Sequence, residues 1–192
     1  MSKQVKRGTR DAYEKTTQQS FENITGGNSF IVLTRSWGSS VDSSPGALPM
    51  WTAFIKGDSG VHSASVEIVD MEQMNGFERQ HPDGFSFSDL QRMQTVYSFG
   101  EMSAGYGRIV FLPLLPQKTS ARLSMNFFAM NGVWHELYVC REINGNVESA
   151  TRVTREIGTR VKKTIDIYEY VTPKFPKDKR GHPLWTDETP LW

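Results

Sequence analysis

Short apolar runs separated by turn-forming dipeptides dominate the chain, and their spacing predicts strands far more often than helices. Phe30-Ile31-Val32-Leu33 is an unbroken apolar run of strand length, and Met50–Ile55 is a second strand candidate. From Val61 to Val69 the pattern alternates, placing Ala64, Val66 and Ile68 on the expected inner face. Thr95–Phe99 and Gly107–Leu115 have strand character. Ala121–Met130 and Val133–Glu142 then flank Asn131-Gly132, a dipeptide suited to a two-residue hairpin turn with positive φ at both central residues. Asn144-Gly145-Asn146 predicts another tight turn into Val147–Ile157, and Lys163–Val171 reads as the last strand.

Residues 70–94 interrupt this rhythm. Asn75-Gly76 and His81-Pro82-Asp83-Gly84 are turn signals, and Ser88 is positioned to cap a helical turn running to Met93. The polar residues 1–29 read as an N-terminal arm with a short helix over Asp11–Phe21, and residues 36–49 as a Gly/Ser/Pro loop. Residues 173–192 are too proline-dense for a central strand and read as an extended C-terminal tail. The predicted fold is all-β: a single sandwich or barrel domain over residues 30–172 with extended arms at both ends.

Composition narrows the class. With 192 residues, 38% hydrophobic and 22% charged, the chain is long enough for a real core and ordinary for a folded protein. No apolar stretch approaches the ~18 residues of a membrane-spanning helix. The basic N-terminus runs into Asp11 and Glu14 rather than an apolar core, so secretion by a signal peptide is not expected; the expected location is a virion or a host cytoplasm. The net charge of +1 conceals an asymmetry. Residues 1–40 carry six basic against three acidic side chains, 41–101 three against nine, and 102–192 thirteen against nine. Complementary patches of this kind suit self-association or a charged partner.

Candidate chemistry is sparse. His62, His81, His135 and His182 lie far apart, without metal-ligand spacing. The single Cys140 can form no internal disulfide and sits in a predicted strand, where a small core side chain is the expected role. No GxSxG nucleophile elbow occurs, and the glycines at 100, 105 and 107 lack the Lys-Ser/Thr of a phosphate loop. The sequence therefore predicts a non-enzymatic protein with no catalytic residue, metal, cofactor or small-molecule substrate.

Two partner classes follow. Phe99, Tyr106, Phe111, Phe127, Phe128, Trp134 and Tyr138, interleaved with Arg108, Lys118, Arg122 and Arg141, have the composition of a single-strand nucleic-acid platform. Arg108-Ile-Val-Phe-Leu-Pro113, with Asn131-Gly-Val-Trp134 and Cys140, resembles a stretch of phage single-stranded-DNA-binding proteins. The resemblance covers a small part of the chain, and that family's cysteine-rich zinc segment has no counterpart here. The second class is assembly. Pro183-Leu184-Trp185 recurs seven residues later as Pro190-Leu191-Trp192, behind a basic run that includes Lys177 and Arg180. Tryptophans in an extended tail read as anchors for pockets on a neighbour. The leading expectation is a structural subunit of a large assembly, a virion component such as a phage neck, tail, baseplate or coat protein. It would contact other subunits, including its own copies, through Trp185, Pro190, Leu191, Trp192, Lys177 and Arg180. A nucleic-acid-binding protein with a partner-recruiting acidic-aromatic tail is the alternative.

Overall fold

The computed structural model describes residues 15, 27–36, 50–84, 86–110, 112, 120–157 and 162–185. The strands are β1 (Phe30–Ser36), β2 (Met50–Lys56), β3 (Val61–Asp70), β4 (Gln94–Met102), β5 (Gly107–Val110), β6 (Ala121–Ala129), β7 (Gly132–Ile143), β8 (Asn146–Ile157) and β9 (Lys163–Val171), with helices α1 (Met71–Gln80) and α2 (Phe87–Met93) between β3 and β4. All pairings are antiparallel. A three-stranded sheet, β1-β2-β5, packs on a six-stranded one, β4-β3-β6-β7-β8-β9, as an all-β sandwich. The expected inner face of β3 is observed: Ala64, Val66 and Ile68 are buried. Of the expected Asp11–Phe21 helix only Lys15 is described, and the second Pro-Leu-Trp unit lies outside the described residues.

Aromatic packing fills the space between the sheets. Phe127 stacks between Phe99 and Trp134, with ring centroids 6.2 and 5.4 Å away, and Trp51 meets Tyr138 edge-on at 5.2 Å. The apolar run at β1 has its own cause. Ile31 and Val32 point to opposite faces, and both are buried. One face of β1 packs toward the large sheet; the other faces residues of β8 and β9, as in the 6.4 Å contact of Phe30 with Tyr168. A strand covered on both faces needs no alternation.

Three local expectations change. The β6–β7 loop is Met130-Asn131, because Ala129 pairs with Gly132; of those positions only Gly132 has positive φ, +126°. Asn131 instead sends its side-chain N–H groups to the carbonyls of Gly27 and Ser29, tethering the start of β1. Asn75-Gly76 makes no turn and lies inside α1, whose first turn is held by Asp70 accepting from Glu72 N at 2.9 Å and Gln73 N at 3.3 Å. Glu72 near its start and Arg79 near its end also complement the helix dipole. The cap of α2 is Ser86 rather than Ser88, in a reciprocal box with Asp89. The Asn144-Gly145 turn forms as expected, with φ of +51° and +77°.

The start of the C-terminal tail is part of the folded body. Phe175 is 2% exposed and packs with Leu137, Val139 and Ala150 on the outer face of the large sheet, where Trp185 joins them. Asp178 closes the intervening turn by accepting from Arg180 N and His182 N.

Candidate functional site

Three surface features stand out. The first is a cleft of about 400 Å³ between the small sheet and the overhanging β8–β9 end of the large one. Val32 and Thr34 of β1 and Phe54 and Lys56 of β2 form one wall; Ser149 and Thr151 of β8 and Tyr168 and Tyr170 of β9 form the other, with Arg35 and Tyr138 also lining it. A register shift between Val153 and Thr154 sets Tyr168 opposite Val153 and Tyr170 opposite Thr151, so that both tyrosines face inward. Lys56 Nζ lies 5.0 Å from the Tyr168 ring centroid. Burial pushes the Tyr168 hydroxyl up.

Behind the cleft, β7 supplies side chains to the side of β1 that does not face β2. Trp134 Nε1 donates to Ile31 O at 2.9 Å, and Glu136 Oε2 accepts from Leu33 N at 2.9 Å. Asn131 holds the preceding residues in the same way. A strand edge otherwise open to pairing is thereby closed by side chains. Glu136 is completely buried, and burial holds its carboxyl protonated well above the usual carboxylate range. Arg35 beside Tyr138 and Cys140 has its pKa lowered, first by burial. Cys140 is a buried free thiol, pushed up by burial, and occupies a core position as expected from its strand.

The second feature is the edge formed by β4, which pairs with β3 on one side and with no described residue on the other. Glu101 is the only charged side chain in its nine residues. Val96 is 67% exposed there, and Phe87, at the start of the preceding helix, is 74% exposed. The opposite edge, β9, carries exposed Lys163, Asp166 and Glu169.

The third feature is the seat of Trp185. Its ring lies 4.9 Å from the Arg152 guanidinium, and Arg141 Nη2 donates to Leu184 O at 3.0 Å. Trp185 is thus docked on its own chain, while Lys177 and Arg180 lie exposed on the connecting turn. Pro190, Leu191 and Trp192 lie outside the described residues. Sequence reasoning read Trp185 as an anchor but could not find its seat, because Leu137, Val139 and Phe175 converge only after the sheet has formed.

The residues proposed for base stacking divide. Phe99, Phe127, Trp134 and Tyr138 are core side chains, unavailable to a nucleic acid; Tyr106 and Phe128 are exposed, and Phe111 lies outside the described residues. Arg108 donates to the carbonyls of Phe99 and Glu101, serving the β4–β5 connection. On the outer face, His135 Nε2 and Ser124 Oγ are 2.9 Å apart; burial and Arg152 lower the imidazole's pKa. Among the described residues no carboxylate hydrogen-bonds to the other ring nitrogen, so the pair lacks the third group that orients a catalytic base. No cluster of three His, Cys, Asp or Glu side chains suited to a metal occurs among the described residues. No family model, curated protein or solved structure matches the chain.

Proposed function

We propose that this chain is a non-enzymatic structural subunit of a protein assembly, with a virion component as the assembly class, and that neighbouring copies join at the edge of β4. The observation that carries this reading is the chemistry of that edge. Natural sheets protect edge strands with charge, proline, bulges or a covering segment, because unpaired N–H and C=O groups invite another strand. β9 has charged side chains and β1 is closed by Trp134 and Glu136. From Gln94 to Ser98, β4 runs in regular register with β3 and carries no charge; the irregularity begins only towards Gly100. Antiparallel addition of a second β4 would satisfy its backbone groups and cover Val96, the arrangement used wherever a strand extends a partner's sheet. Exposed Lys177 and Arg180 can steer approach toward the acidic segment 41–101, as the charge asymmetry suggests.

Light scattering on the size-fractionated protein tests the reading. The expected mass is a multiple of 21.8 kDa, falling to the monomer in Val96→Lys with an unchanged circular dichroism spectrum. A wild-type protein that stays monomeric up to its solubility limit, or a Val96→Lys variant that assembles normally, overturns it.

A further inference from the structure

We propose that the cleft between β1–β2 and β8–β9 binds a small organic anion bearing an aromatic ring. This ligand site is independent of the β4 edge and departs from the sequence expectation of no small-molecule partner. Its volume, about 400 Å³, falls within the range of small-molecule sites, roughly 300–1,000 Å³. Among the described residues the lining supplies two cationic side chains, Arg35 and Lys56, and no carboxylate. In a partly desolvated cleft such charges act on an anion more strongly than they would in open water.

The rest of the lining suits a ring. Tyr168, Tyr170 and Phe54 offer aromatic surfaces, and the Thr34 and Thr151 hydroxyls offer hydrogen bonds beside them. The Tyr138 hydroxyl, on a residue only 1% exposed, lies beside Ser149 and Cys140 at the wall of the cavity. Anion and ring together are recognised only by a molecule carrying both.

Phenyl phosphate titrated into the isotope-labelled full chain, followed by backbone amide shifts, tests this. The expected result is saturable shifts at Thr34, Ser149 and Thr151, half-complete below about 1 mM, with phenol and inorganic phosphate each at least about tenfold weaker. Lys56→Gln, on an exposed position, should keep the native spectrum and weaken binding several-fold, as should Tyr170→Leu. Benzoate in place of phenyl phosphate distinguishes a general anion site from one requiring phosphate; binding of either supports the proposal. Absence of saturable shifts with both up to about 10 mM overturns it. So does equal affinity for inorganic phosphate alone, or unchanged affinity in Lys56→Gln.

Discussion

Glu136 Oε2 accepts a hydrogen bond from Leu33 N at 2.9 Å, joining two residues 103 positions apart and fixing β1 against β7. The other carboxyl oxygen is buried without a partner. A charge would be expensive in this place, and the proton that removes it links folding to pH.

The sign of that linkage is definite. Burial is the dominant cause of the raised Glu136 pKa, with the Leu33 N–H pulling the other way. The native state retains a proton that the unfolded chain releases above about pH 4.3. The stability tied to Glu136 is therefore fully present below that pH and is lost as pH rises toward the native pKa, by at most about 1.4 kcal/mol per pH unit. Glu136→Gln keeps an acceptor for Leu33 N and removes the titration. Urea unfolding from about pH 4 upward should show the wild type losing stability relative to Glu136→Gln. Parallel curves would contradict the assignment.

Two glycines should respond in opposite directions to alanine. A Cβ at Gly132 would meet nothing within 4 Å, so Gly132→Ala isolates the strain of φ +126° and should destabilise by about 1–3 kcal/mol. Gly76, inside α1, is equally open but has no positive φ. Gly76→Ala should stabilise by about 0.5–1 kcal/mol. Thermal melts of the two variants decide it; a neutral Gly132→Ala would remove the strain argument.

The tail seat makes a graded prediction. Phe175→Ala opens a cavity against Leu137, Val139 and Ala150 and should cost about 3–5 kcal/mol. Trp185 is only half-buried, so Trp185→Ala should cost less and expose the tail to trypsin at Lys177 and Arg180. Equal losses, or unchanged proteolysis of Trp185→Ala, would count against this docking.

The sequence was a good guide where local chemistry decides and a poor one where distant segments meet. Alternation placed β3 and β9 within a residue of their observed bounds, because a half-buried strand carries its own period. Asn-Gly occurs three times, in three structural settings. At 144–145 nothing competes with the tight turn, at 75–76 a good N-cap at Asp70 carries a helix through it, and at 131–132 the Asn side chain is drawn to the Gly27 and Ser29 carbonyls. Glu136 in Trp-His-Glu looks like an ordinary polar strand residue until β1 is laid across it. The cleft was illegible for the same reason. Its walls come from residues more than a hundred positions apart, and a bulge in the β8–β9 pairing decides where the tyrosines face.

Hydrogen exchange read by mass spectrometry at two protein concentrations tests the central claim, that β4 is the joining edge. The account predicts that amides of Gln94–Met102 exchange more slowly at the higher concentration while those of Lys163–Val171 do not change. Concentration-independent exchange in β4, with protection appearing at β9 or elsewhere as the protein associates, would contradict it.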